Sequence, residues 1–568
     1  MRENGRELFT LETLTPIREM DIVGFTLQYE LCYTNILNML ELGGIPVRSD
    51  QRGEGYPVIV AGGPCAYNPE PLADFIDLFM IGDGEELFEK VCIARRDSAS
   101  KKEFLETVSQ FDGVYIPGFY EPEYNEDGTI RNIRKLNDKA PDRVRRALIS
   151  DLEKADFPVK NIVPFIETVH DRSVVETFRG CTRGCRFCQA GMIYRPVRER
   201  KKETIERIAE EQLANTGHDE LSLLSLSTSD YSRFEDLATE LMEMCAAQNV
   251  ALSLPSLRLD SFSFKVLDEI QGYRKSGLTF APEAGSQRLR NIINKNITEE
   301  NIYGAVEQAV ELGWNHIKLY FMDGLPGETY EDLDGIGEIA RNIMDINYRL
   351  RGRQGGRFRV TISVSNFVPK PHTPFQWAAQ DTPEMFRDKH VYLTKKLKIK
   401  GVTFNYHETN TSNLEAVFAR GDRRVGRVLE AAHRLGCRFD GWTEHFKAEL
   451  WQKAFEETGI DPDFYCYRER SYDEILPWDI VDPLVTKEFF IRENEKAKKE
   501  LGTPDCRLGC AGCGMNRFTE CFKGAEFDAP GSAKRQPSED PQVKQPSEGQ
   551  SSEVQLSDQQ SCGDVSDV

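Results

Sequence analysis

The chain has 568 residues, 39% of them hydrophobic and 29% charged, and a formal net charge of -21 at pH 7. That length suits two to four domains around a large buried core. No apolar run approaches the roughly 18 residues of a membrane span, and the acidic surplus excludes whole-surface attraction to nucleic acid, although a local basic groove could survive. The first residues lack a basic region followed by an apolar core, which points to the cytoplasm.

In chain order, residues 21–28 read as a strand, and residues 29–42 read as a helix ended by Gly43-Gly44. A second apolar run, 57–61, stops at Gly62-Gly63-Pro64, and a third, 75–81, leads into Gly82–Glu86 and another helix. Short buried strands alternating with helices predict an open parallel sheet, with ligands beyond the carboxyl ends of its strands. About three strands precede residue 110, so residues 1–115 are expected to form an incomplete α/β domain. Residues 116–169, rich in charge and turns, read as a connection.

From 170 to 400 the pattern lengthens into an α/β series. Strands are expected at 174–179, 220–226, 250–258, 277–282, 315–322 and 360–367. Helices are expected near 201–215, 232–247, 262–271, 298–312, 328–344 and 382–397. These units predict a partial (β/α)6 barrel whose mouth is built from the loops after the strands. Residues 401–525 read as a carboxyl-terminal domain, largely helical from 421 to 500, with Trp442, Phe446 and Trp451 as aromatic anchors. The segment 526–568 lacks the apolar mass that offsets ordering entropy and is predicted to be disordered, which sets Cys562 aside as a ligand.

Seven of the 14 cysteines fall in two tight groups, a pattern of metal or redox chemistry in a reducing compartment. The scattered Cys32, Cys65, Cys92, Cys245, Cys437 and Cys466 read as small buried side chains. The first group, Cys181-X3-Cys185-X2-Cys188, follows the first strand of the barrel series. Three thiolates at this spacing suit a 4Fe-4S cluster with one corner left open, whereas structural zinc would want a fourth ligand nearby. The second group, Cys506-X3-Cys510-X2-Cys513-X7-Cys521, offers four soft ligands and fits either a second 4Fe-4S cluster or zinc.

The first motif resembles the radical S-adenosylmethionine (radical SAM) superfamily. The resemblance implies that Cys181, Cys185 and Cys188 ligate a cluster beside the aromatic Phe187, and that S-adenosylmethionine is cleaved to methionine and a 5′-deoxyadenosyl radical. A cellular one-electron reductant is then required. The run Ser225–Tyr231 stands where the superfamily commonly has Gly-Gly-Glu; Ser227, Thr228 and Ser229 could bond the methionyl group or simply cap a helix. Glu283 and Ser286 resemble the ribose-contacting region, and Arg288 and Lys295 could neutralise carboxylates or face water.

Gly324-Leu-Pro-Gly327-Glu328-Thr329 resembles the fifth-strand loop of cobalamin-associated radical enzymes, its two glycines allowing a close backbone approach to a cofactor. Glu328 and Thr329 could instead cap the next helix. His372, in a loop stiffened by Pro369, Pro371 and Pro374, could act as an acid or base or hold structure. Tyr231, Glu283 and His372 are thus the candidate catalytic residues at the mouth.

The wider match covers most of the first 525 residues and is similar to radical proteins with a cobalamin-binding-type amino-terminal domain, including Gly24 to Tyr33 and Gly62-Gly63-Pro64 beside Glu85-Glu86. The usual cobalt-coordinating signature, Asp-X-His-X-X-Gly, is absent, so cobalamin binds without a protein histidine or does not bind. The expected function is radical SAM modification of a substrate by methyl or sulfur-group transfer. RNA modification, with the second cysteine region placing RNA, is one alternative. A noncatalytic iron-sulfur scaffold or electron carrier is the other.

Overall fold

The computed structural model describes residues 1–166, 168–255, 258, 278–352, 358–519 and 521. The first sheet contains β1 (Ile22–Thr26), β2 (Val58–Gly62) and β3 (Leu78–Met80), all parallel, and β4 (Val114–Tyr115), which runs antiparallel to β3. The parallel expectation therefore holds for three strands and fails at the fourth. β2 forms because a β-branched run, Val58-Ile59-Val60, is bounded by Pro57 and Gly62-Gly63, and it is buried on both faces.

One face of this sheet packs Val58, Val60 and Leu78 on Leu87, Val91, Phe104 and Val108 of the helices Glu85–Asp97 and Lys101–Val108. The other face packs Ile59, Ala61 and Phe79 on the helix Tyr33–Leu42 and on helices from far along the chain, Thr409–Arg420, Val425–Leu435 and Ala448–Thr458. The connection after β4 is more structured than its turns suggest. It holds a hairpin of β5 (Tyr120–Tyr124) and β6 (Ile130–Lys135), then β7 (Val144–Arg145), which pairs in parallel with Val481–Asp482.

The barrel series begins with β8 (Ser173–Glu176), followed by β9 (Phe178–Arg179) and β10 (Arg198–Glu199), which pair antiparallel. β8, β11 (Glu220–Leu224) and β12 (Ala251–Ser253) make one parallel sheet; β13 (Leu278–Glu283), β14 (His316–Asp323), β15 (Arg359–Asn366) and β16 (Val402–Tyr406) make another. All six expected strands are present, and β16 is a seventh parallel strand that the sequence reading lacks. Its residues Thr403, Asn405 and Tyr406 are exposed, so it carries no apolar run. The helices Lys202–Thr216, Phe234–Ala247, Glu299–Glu311, Tyr330–Arg351 and Pro383–Lys396 stand where they are expected. The expected helix at 262–271 and the tail 526–568 lie outside the described residues.

In the second barrel sheet Ile317, Leu319, Phe321, Val360, Ile362 and Val364 point into the helix layer, where Val306, Ile336, Ile339 and Leu393 meet them. By the alternation of side chains along a strand, Lys318, Tyr320, Thr361, Ser363, Thr403 and Asn405 share the opposite face. That face is polar and partly exposed.

One anchor needs correction. Trp442 is 63% exposed, whereas Trp451 is buried and donates its indole N–H to Asp440 at 2.8 Å; Trp478 is the other buried tryptophan of residues 401–525. Cys65, Cys245, Cys437 and Cys466 are buried as expected, but Cys32 is exposed. Among the described residues no helix is long and apolar enough to cross a membrane.

Candidate active site

Cys181, Cys185 and Cys188 lie on the loop between β9 and the short helix Ala190–Ile193, each half-buried. Backbone N–H groups point at two of the sulfurs: Gly191 donates to Cys188 Sγ at 3.3 Å and Arg183 to Cys181 Sγ at 3.5 Å. Burial, reinforced by the nearby Cys185, pushes the Cys181 thiol up to about 11 and the Cys188 thiol up to about 12. These thiols stay protonated until a metal replaces their protons. Among the described residues no three Cys, His, Asp or Glu side chains gather round one point as a single ion requires.

Arginines in the motif fix the loop. Arg186 is fully buried; its guanidinium donates to the carbonyls of Asn291, Ile292 and Leu501 at 3.1, 2.8 and 2.7 Å and pairs with Glu493 at 3.1 Å. Arg183 donates to Asp230 at 2.9 Å, and Arg507 reaches the same carboxylate at 3.1 Å. Burial works against that charge, but the two arginines outweigh it and hold the Asp230 carboxyl well below the usual range.

The hydroxyls of the Ser225–Tyr231 run are engaged by the protein itself. Ser227 donates to Asp230 at 2.6 Å, Thr228 is fully buried 3.1 Å from the Ser225 hydroxyl, and Ser229 accepts from the Arg258 backbone at 3.1 Å. Cys181, Ser227 and Asp230 line a common cavity of about 10 Å³. Tyr231 belongs to the core: its ring stacks on Phe178 and its hydroxyl donates to the Arg200 carbonyl at 2.9 Å. The candidate mouth position is therefore corrected to a place in the core.

Glu283 ends β13 where the register shifts, in a left-handed conformation with φ 69°, and Lys295 meets its carboxylate at 3.3 Å. Ser286 caps the helix Gln287–Ile292, accepting from Leu289 N at 3.0 Å, and its hydroxyl donates to Asp332. Arg288 pairs with Asp332 and, at 3.2 Å, with Glu500. Both basic residues thus neutralise carboxylates rather than face water. Phe187 packs against a cluster containing Ala284, Leu289 and Phe367, which joins the cysteine loop to the end of β13.

Gly324 and Gly327 both have positive φ in the loop after β14. Thr329 caps the next helix with Asp332 in a capping box, whereas Glu328 turns back to accept from Gly324 N at 2.7 Å and meets Lys389 at 3.2 Å. Burial pushes the Glu328 carboxyl up to about 7.

His372 is 3% exposed, and its Nε2 lies 3.0 Å from the Tyr67 carbonyl. A carbonyl only accepts, so Nε2 carries the proton. Burial holds the imidazole down at about 3, so near neutral pH it stays uncharged and ties the 367–375 loop to the first sheet.

Residues 175–340 match the radical SAM superfamily, and residues 1–117 match the family of radical SAM proteins, N-terminal. An uncharacterized protein of Methanocaldococcus jannaschii is 30% identical over 456 residues, covering 80% of this chain and 89% of that protein. The chain belongs to the radical SAM superfamily. An uncharacterized methyltransferase of Pyrococcus horikoshii is 25% identical over 51% of this chain and 59% of that protein. Among solved structures, the radical SAM methyltransferase TsrM of Kitasatospora setae, with cobalamin and a 4Fe-4S cluster bound, is similar over 78% of this chain and 89% of that chain at 14% identity, with a TM-score of 0.48.

The donor set fits the cluster of a radical SAM enzyme: three thiols on one immobilised loop, with backbone N–H groups directed at the sulfurs. The first sheet does not fit a corrin in the same way. Beyond the carboxyl ends of β1–β3 the chain fills its own space. A Cβ on Gly63 would lie 2.8 Å from the Leu27 carbonyl, and one on Gly82 would lie 2.2 Å from that of Ala147. Lys370 is wedged between Glu30 at 2.7 Å and Glu415 at 2.8 Å, with Tyr29 bonded to Glu415. No step is routed through cobalamin.

The second cysteine region packs beside the radical SAM motif. Cys506, Cys510, Cys513 and Cys521 lie within electrostatic reach of one another, and Cys513 and Cys521 rest on the core of Met192, Trp478 and Phe489. Sequence reasoning missed Asp230, Glu493 and Arg195, which organise this neighbourhood. The signal for the first two was present in the motif itself, because two arginines inside a packed loop demand carboxylates. Arg195 carried none.

Proposed function

We propose that this radical SAM enzyme binds a 4Fe-4S cluster through Cys181, Cys185 and Cys188 and modifies its substrate by methyl or sulfur-group transfer. The observation that carries this reading is the immobilised three-thiol loop with amides on two of its sulfurs, directly after β9. A cluster held by these three cysteines would supply the electron that cleaves S-adenosylmethionine. The chain's own residues do the rest: Glu283 and Lys295 sit at the end of β13 to orient the nucleoside part, Phe187 packs beside the loop, and Gly324 and Gly327 let the backbone approach. The relative named as a methyltransferase supports the methyl branch.

The polar face of β14–β16 is the proposed substrate surface. Lys318 lies over the Tyr320 ring at 4.6 Å, with Thr361, Ser363, Thr403 and Asn405 beside it. A hydroxyl- and amide-lined face with one ammonium suits a polar substrate bearing an anionic group.

Anaerobic reconstitution with iron and sulfide, followed by S-adenosylmethionine and a low-potential reductant, tests the reading. The expected product is 5′-deoxyadenosine, lost in Cys185→Ala. No product from a chain with its cluster fully loaded would overturn it.

A further inference from the structure

The second cysteine group is docked directly on the first. Cys506 N donates to the Thr182 carbonyl at 3.1 Å, and the Thr182 hydroxyl donates to Asp505 at 2.9 Å. Asp505 also meets Arg183 at 3.2 Å and Arg507 at 3.0 Å. One residue and one hydrogen bond therefore separate the backbone of Cys181 from that of Cys506.

Arg195 lies between the groups, 3% exposed, with its Nε donating to the Gly191 carbonyl at 3.0 Å and its guanidinium over the Phe489 ring at 5.2 Å. The Phe489 ring beneath it belongs to the core on which Cys513 and Cys521 rest, and the Gly191 whose carbonyl it holds donates its N–H to the Cys188 sulfur. The Arg195 Nη1 has no hydrogen-bond partner, and among the described residues no carboxylate pairs with it. A buried guanidinium remains charged and needs a counter-charge. Thiolates bound to metal in the two neighbouring cysteine groups would supply one.

We propose that Cys506, Cys510, Cys513 and Cys521 hold a second iron-sulfur cluster that relays single electrons to the cluster of Cys181, Cys185 and Cys188, with Arg195 as their shared counter-charge. The destination of the electron rests on the function proposed above. A low-potential one-electron carrier is oxidised by one electron and the second cluster reduced by one; the second cluster then returns to its oxidised state as the first is reduced. No bond forms or breaks, and no proton moves, because the guanidinium stays charged throughout. Cys510 is exposed and gives the incoming electron a surface edge. Zinc would satisfy Arg195 but has no second oxidation state.

The test uses the full chain, reconstituted anaerobically, with metal analysis, electron paramagnetic resonance and stopped-flow reduction by a reduced flavodoxin-type protein. The expected result is about eight irons per chain and spin–spin broadening between two reduced clusters. Cys510→Ala is expected to lose the broadening and to slow reduction of the first cluster by roughly tenfold or more, with the first cluster's own spectrum retained. Arg195→Gln is expected to lower both midpoint potentials, and Arg195→Lys to restore them. About four irons and one zinc, or an unchanged reduction rate in Cys510→Ala, would overturn the relay. If the two clusters couple but S-adenosylmethionine is not cleaved, the relay stands and the radical function fails; cleavage with zinc in the second group gives the reverse.

Discussion

Arg186 and Glu493 form an ion pair at 3.1 Å with side chains 0% and 1% exposed, one from the cysteine motif and the other from the helix Lys487–Lys498. Removing one partner leaves the other charge buried and uncompensated, which costs about 3–5 kcal/mol. Glu493→Leu is therefore expected to lower unfolding free energy in urea by that amount, and Arg186→Met combined with Glu493→Leu to recover most of it. Equal losses in the single and double variants would refute the pairing.

His372 gives a pH dependence with a definite sign. Its imidazole takes a proton only near pH 3 in the folded chain, against 6.5 ordinarily. Between those values the unfolded chain binds more protons, so this contribution is complete above 6.5 and is lost as pH falls toward 3. The slope is at most about 1.4 kcal/mol per pH unit. Denaturation of wild type and His372→Gln at pH 7.5, 6.0 and 5.0 should show wild type losing more on acidification; parallel curves would contradict a buried neutral imidazole.

Glu283→Gln keeps the size of the side chain but removes the charge opposite Lys295. The proposed nucleoside-orienting role predicts that the dissociation constant for S-adenosylmethionine rises about tenfold, or about 1.4 kcal/mol. Equilibrium dialysis on the reconstituted, unreduced protein measures this without turnover, and unchanged binding would dismiss the role.

Protein fills the space beyond β1–β3, so hydroxocobalamin is expected to show no saturable spectral change on titration. Gly82→Ala, at φ 108° and with a backbone oxygen 2.2 Å from the new Cβ, is expected to loosen the packing of residue 147 on the first sheet. Faster proteolysis of the 136–150 segment would register it. A stoichiometric corrin complex of the wild type would contradict the packing argument.

Much of the scaffold was legible because its strands are continuous apolar runs and its helices carry explicit caps, as at Thr298 with Asn301. β16 was not, since three of its five residues face solvent and leave no hydrophobic period to read. The cysteine groups declared themselves by spacing alone. What spacing does not encode is tertiary partnership: that Thr182 receives Cys506, that Tyr231 bonds Arg200 rather than facing a substrate, or that His372 meets Tyr67. Those depend on contacts between segments distant along the chain, where local pattern carries no information.

The sharing of one core between β1–β3 and the helices Thr409–Arg420 and Val425–Leu435 sets an order of events at the ribosome. The first sheet emerges with one apolar face covered only by the helix Tyr33–Leu42, and the rest of that cover is synthesised roughly 300 residues later. At about 5–20 residues per second, that face waits on the order of 15 to 60 s. Nascent chains stalled before residue 409 should accordingly recruit chaperones, and a separately expressed 1–115 fragment should aggregate unless the helical segment is supplied in trans.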